Sequence, residues 1–333
     1  MSFDFNKDVS FVLGKVYIKY HFHSQTKPLV FLFSPARTEI PAENVRKNIN
    51  PWGFLTIKKL GFNVLSLTSL QPRSWYRHPV LRQYLTVQLP EMLPLFPERL
   101  GIGADVGGYG LSIYGDALQC QRVLLFNPIS TLNRVLAPWE NRYPQGARSF
   151  SWDKDEFDGA KICCPGYLIY DPQSRPDCLH AQRYAPQLNH INARHMGEKI
   201  HNQLQTMKLF QSTLHSFINN ELTAGAFHLS LRERRNYFHH YHALLRQNPD
   251  QLTPARRNII ENRLLSCARN YAHDPHATRY QNADLLRDIA ISLETRDLTL
   301  AAHLMAQAHQ LRAGPFITKK LNAYRKELSR QTT

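Results

Sequence analysis

The chain has 333 residues, 43% hydrophobic and 11% aromatic, which is enough apolar matter for one large domain or two ordinary ones and excludes a disordered chain. Apolar runs such as 29–33 and 123–126 are too short to span a bilayer, the start MSFDFNKDVS lacks the basic and apolar segments of a signal peptide, and the five cysteines show no paired spacing, so a soluble cytoplasmic protein with reduced thiols is expected. Lys and Arg number 41 against 26 Asp and Glu, a formal charge of +15 that either keeps the surface soluble or gathers anionic partners, with nucleic acid disfavoured by the absence of zinc-finger spacing, RNP-type strands and dense basic runs.

Residues 9–23, VSFVLGKVYIKYHFH, alternate apolar and polar around a glycine-containing bend, as in a half-solvated antiparallel hairpin. The runs at 29–33, 63–67, 99–104, 122–127, 167–171 and 188–193 are short and almost continuously apolar, the pattern of strands covered on both faces. Segments with helical potential lie between several of them, among them HPVLRQYLTVQLPEMLPLF and the stretch after Gly107. This alternation predicts an α/β body with a mostly parallel sheet and crossover helices.

Beyond about residue 197 the strand pattern ends and six helical segments follow, several starting after Ser, Thr, Asn or Asp and separated by breaks at NPDQLTP and DPHATRYQN. Two domains are therefore expected, an α/β body over 1–220 and an all-helical region over 221–333. Small Ala301, larger Met305 and small Ala308 are spaced to let paired helices approach closely, with Pro315 opening the next helix. That stretch resembles half of a tetratricopeptide repeat, which implies a surface for a protein partner; a generic helical bundle is the alternative.

The chemistry converges on GIGADVGGYG, 101–110. Gly103, Ala104, Asp105, Val106 and Gly107 form G-x-D-x-G directly after an apolar strand. Asp171 closes the strand-like YLIYD, and His195 follows the last expected strand. A carboxylate at the first of these positions can orient and stabilise an imidazole at the second. Three loop-tip residues in the order nucleophile, acid, histidine make 9–200 resemble the α/β-hydrolase superfamily, with Asp where an esterase or acyltransferase elbow carries Ser.

The resemblance implies an oxyanion hole built from the amide of Val106 and that of Ala36 or Arg37, Pro35 having no N–H to give. It also places SWYRHP, 74–79, near the rim, where Trp75 and Tyr76 would stack on sugar and Arg77 would hold an anion; packing of Trp75 on the following helix is the competing reading. The insertion 138–164 falls where this fold carries its cap. His21 and His23, and the run FHHYH at 238–242, lack the Cys or carboxylate companions of a zinc site, and no phosphate-cradling or dinucleotide motif is in place, so neither metal nor cofactor is expected.

Asp105 admits two functions. In one, the protein acts on an ester or an acylated, anionic glycan, Asp105 serving as nucleophile or base with Asp171 orienting His195. In the other, the cleft is catalytically inactive, binds a ligand, and leaves the helical tail to dock a partner, because carboxylate attack on an ester gives an anhydride and its charge opposes the developing oxyanion. The serine-type elbow, the WYR segment and the helical C-terminus together are similar to hydrolase-like proteins of bacterial surface-polysaccharide production.

Overall fold

A computed structural model describes residues 4–72, 74–184, 186–247, 252–272 and 283–331. The break expected at DPHATRYQN, most of NPDQLTP and the first three residues of the chain lie outside them. The chain divides into two compact units, 1–203 with 208–227, and 204–207 with 228–333.

The first unit is built on eight strands, β1 (Asp8–Leu13), β2 (Val16–His21), β3 (Leu29–Phe33), β4 (Asn63–Ser69), β5 (Arg99–Ala104), β6 (Arg122–Phe126), β7 (Gly166–Tyr170) and β8 (Leu188–Asn192). They form one sheet in the order β1-β2-β4-β3-β5-β6-β7-β8. Only β2 runs against its neighbours β1 and β4; β3 to β8 are parallel, as their apolar runs require. Residues of β3 are fully buried, and so are the apolar residues of β5 and β6. This is the α/β-hydrolase arrangement of a mostly parallel sheet with flanking helices.

Two local expectations change. The first hairpin is half-solvated only on β1, whose exposure alternates; β2 is buried throughout because β4 pairs with its other edge. Lys19 on β2 is consequently buried, and its ammonium is satisfied by Asn48 O at 3.1 Å and Asn50 Oδ1 at 2.7 Å. The segment 78–96 is not one helix: Pro90 and Pro94 interrupt it, leaving α2 (Pro79–Gln83), a π-type turn over Tyr84–Gln88 and a 3₁₀ stretch over Pro90–Leu95. The other helices of this unit are α1 (Phe54–Lys59), α3 (Val106–Tyr114), α4 (Pro144–Ser149), α5 (Arg175–Arg183) and α7 (Phe210–Ile218), while α6 (Ile200–Thr206) and α8 (Ala224–Ser230) straddle the division between units.

The second unit contains α9 (Phe238–Gln247), α10 (Pro254–Ala272), α11 (Ala283–Leu293), α12 (Leu298–Leu311) and α13 (Pro315–Gln331). Helix α12 packs on both α11 and α13, and α9 packs on α10. Ala301, Met305 and Ala308 are fully buried along α12, and Asp297 caps that helix by accepting the Leu300 amide at 3.0 Å. No helix among the described residues is long and apolar enough to cross a membrane.

Helix α9 also buries His239 and His242, and burial pushes them down to about 3 and about 4. The unfolded chain therefore binds protons that the folded helix does not, and stability present above about pH 6.5 is lost as pH falls toward these values. Urea unfolding of the helical unit should lose on the order of 1–2 kcal/mol per buried histidine between pH 7 and pH 5, and His239→Gln should flatten part of that slope. A profile unchanged by the substitution would show that these rings do not control it.

Candidate functional site

The sheet order reverses at β3, which lies between β4 and β5, so the loops after β3 and β5 diverge and leave a crevice at the carboxyl ends of the strands. The elbow closes one side of it. A Cβ on Gly107 would come within 2.1 Å of Phe33 O, and one on Gly103 within 2.7 Å of Gly107 O, so α3 reaches this close to β3 and β5 only because both residues are glycine. Asp105 takes up the turn between strand and helix at φ 55° and ψ −121°, a conformation that costs a non-glycine residue about 1–3 kcal/mol.

That backbone presents the Asp105 side chain to a cavity of about 290 Å³, lined by Ala36, Arg37, Asp105, Arg142, Tyr143, Asp177, Glu198 and Lys199. The Tyr143 hydroxyl donates to Asp105 Oδ1, and the Ala36 amide faces the same carboxylate. Burial raises the Asp105 carboxyl above its ordinary range, against the pull of Tyr143, Arg142, Lys199 and the Ala36 amide. Tyr143 is pushed up in turn, by burial and by the neighbouring Asp105 charge.

The two candidate oxyanion donors of the β3 loop separate. Ala36 faces Asp105, whereas the Arg37 amide is committed to Glu39 Oε1 at 3.0 Å. The Arg37 side chain is exposed and contributes to the cavity wall. Val106 opens α3, where the first amides have no acceptor within the helix.

Asp171 is fully buried at the end of β7 and grips the turn that carries His195. Its carboxylate accepts the amides of Met196 at 2.9 Å, Gly197 at 2.8 Å and Gln173 at 3.0 Å. The His195 amide donates to Gln173 Oε1 at 3.3 Å, and His195 itself stands at φ 61°. Acid and histidine loops are thus joined through backbone, while the cavity wall around Asp105 is made by other residues.

The expectation that Trp75, Tyr76 and Arg77 form a sugar platform is corrected, because all three are buried. Trp75 packs edge-on against Tyr109, Tyr143 and Trp152. The Tyr76 hydroxyl donates to Ser34 O at 2.7 Å. The Arg77 guanidinium sits over the rings of Phe157, Trp152 and Phe150, at 3.7, 4.7 and 4.9 Å from their centroids, and donates to Ser151 O at 2.7 Å. This cluster fastens the 138–164 insertion onto the elbow helix and so brings Tyr143 to Asp105.

Sequence reading missed the charged groups that complete the site. Arg142 meets Glu140 through Nε at 3.0 Å and Nη2 at 2.6 Å, and meets Asp177 Oδ1 through Nη1 at 2.7 Å. Behind it, His180 Nδ1 accepts the Ser130 amide at 3.2 Å, which leaves Nε2 to donate to Glu140 at 2.9 Å. Burial pushes the Glu140 carboxyl up, but His180 and Arg142 outweigh it and hold it at about 2. For Asp177 burial wins over Arg142, and the carboxyl is pushed up to about 6. Neither the spacing nor the composition of PWENRYPQG signals this, since the partners arrive from the insertion, α5 and the turn after β8.

No protein-family model and no curated protein matches the sequence. Among solved structures, the chain is similar to an esterase of Pyrobaculum calidifontis at 9% identity, over 65% of this chain and 85% of that one, with a TM-score of 0.46. It is similar to the capsule O-acetyltransferase of Neisseria meningitidis serogroup A at 11% identity, over 63% and 94% of the two chains, with a TM-score of 0.40. It is also similar to the glycosylation-associated protein complex of Streptococcus agalactiae at 14% identity, over 62% of this chain and 45% of that one, with a TM-score of 0.40. At these identities the likeness is one of fold.

The elbow carboxylate has a measurable cost. Its folded-state value is raised, so the stability linked to its protonation is present at low pH and lost as pH rises through that value. Asp105→Asn, which keeps the shape, should therefore gain stability relative to wild type as pH rises above the ordinary carboxylate range. Asp105→Gly removes strain of about 1–3 kcal/mol against one hydrogen bond of about 1 kcal/mol, from Tyr143, and should unfold in urea no more than about 1 kcal/mol below wild type. A large loss in the glycine variant would mean that the elbow backbone is unstrained.

Proposed function

We propose that this hydrolase-like protein binds an anionic, polyhydroxylated ligand, an acidic sugar unit of a glycan, in the elbow cavity without cleaving it. The observation that carries the reading is the placement of the Asp105 carboxylate. Its carboxyl already takes the Tyr143 hydroxyl and stands against the Ala36 amide, groups that an acyl-transfer enzyme would aim at charge developing on the substrate. Attack on an ester by this carboxylate would, besides, exchange the ester for a more reactive anhydride.

The rest of the wall suits recognition. Arg37, Arg142 and Lys199 offer donors to a carboxylate, and Glu198 and Asp177 offer acceptors to hydroxyl groups. The cavity volume is of the size of a single sugar ring, and Ala36 and the Tyr143 ring supply its apolar surface. In this reading the helical unit docks a protein partner and the cleft presents the ligand to it.

The strained backbone at Asp105 favours one other reading, in which the same carboxylate is a nucleophile and Asp171 positions His195 to activate water. One set of measurements separates the two. Under the binding reading, D-glucuronate binds saturably, methyl glucoside binds far more weakly, and ester, epoxide and haloalkane panels show no turnover. Arg142→Gln should weaken glucuronate binding by roughly tenfold or more, the loss expected for a charge-assisted hydrogen bond. Turnover of any panel member that disappears in both Asp105→Asn and His195→Ala would overturn the binding reading in favour of catalysis.

A further inference from the structure

The cavity holds a surplus of carboxylates around one guanidinium. Glu140 takes Nε and Nη2 of Arg142, Asp177 takes Nη1, and Glu198 stands 3.6 Å from Nη1. Asp105 lines the same cavity, and the other cations in its wall are Lys199 and the exposed Arg37. A ligand carboxylate entering this space adds another negative charge, and repulsion at this range inside a protein is several-fold stronger than in water.

Asp177 is placed to relieve it. Its side chain is 1% exposed and has only one nitrogen of Arg142, whereas Glu140 holds the guanidinium along two and also receives His180. The other groups packed on Asp177 are the Asn127 amide, whose Nδ2 donates to Oδ2 at 2.8 Å, Ser174 just before its own helix, and Glu198. Asn127 is 2% exposed, and its Oδ1 finds no partner among the described residues. A half-turn of that amide, which exchanges its oxygen and nitrogen, supplies an acceptor for a proton on Asp177 Oδ2.

We infer that anion binding in this cavity is coupled to the uptake of one proton by Asp177, which releases Arg142 Nη1 to the ligand. The inference rests on the binding reading above and concerns the control of that same site. The proton comes from solvent, one O–H bond forms at Asp177, and no other covalent bond changes. Affinity for a permanently ionised anion then rises on mild acidification, because the group that competes for Arg142 is neutralised.

Calorimetric titration of the full chain with D-glucuronate tests this in two buffers of different ionisation heat, between pH 8 and pH 5.5. The expected result is proton uptake on binding and a dissociation constant that tightens toward acid pH, by up to about tenfold per pH unit where one full proton is linked. Asp177→Asn should bind with a pH-independent constant, and the two-buffer measurement on the unaltered chain gives the proton count even if that variant does not fold. Saturable binding that is flat with pH and takes up no proton overturns the coupling alone. So does a proton uptake that persists in Asp177→Asn. Absence of binding at every pH overturns the coupling together with the binding reading.

Discussion

The structure depends on one close approach, that of the elbow helix to the two strands beneath it. Gly107 lets α3 descend onto the carbonyl of Phe33, and Gly103 clears the way for the backbone of Gly107. With helix and strand this near, the residue joining them has no relaxed backbone conformation, and Asp105 accepts the strained one. The same approach brings the loop after β3 alongside, so that the Ala36 amide meets the Asp105 carboxylate. Elbow strain, amide donor and side-chain direction are consequences of a single packing distance.

A second layer of packing decides what Asp105 faces. Trp75 and Tyr76, both at positive φ, insert between the elbow helix and the insertion, and Arg77 continues into a cage of three aromatic rings. Burying a guanidinium is costly, and its stacking on rings offsets part of that cost. What the arrangement secures is position: the insertion is held where Arg142 and Tyr143 reach the cavity. The buried chain from Ser130 through His180 and Glu140 then fixes the guanidinium from behind, a role in which an ion pair gives orientation more than stability.

Much of the fold was legible because buried parallel strands have a strong local signature, and LVFLF, RLGIGA and RVLLFN became β3, β5 and β6 almost to the residue. Strand tips were legible for the same reason, which is why Asp105, Asp171 and His195 could be named in order. SWYRHP was not, since an exposed sugar platform and a buried aromatic cage have the same composition; positive φ and burial distinguish them, and neither is written locally. Proline positions broke the segment 78–96 in a way that apolar periodicity alone concealed. Arg142, Asp177, Glu198 and Lys199 were invisible as a set because their proximity is purely tertiary.

The charge at the elbow accounts for the company it keeps. A serine there would be neutral and indifferent to a distant arginine, but a desolvated carboxylate is costly unless donors and cations converge on it. Tyr143, Ala36, Arg142 and Lys199 converge on it and offset part of that cost, and Glu140 and Asp177 in turn neutralise Arg142. Each added charge draws others of opposite sign, so the cavity is lined by an ionic network instead of an apolar acyl pocket. Such a wall presents charged groups to whatever enters the cavity.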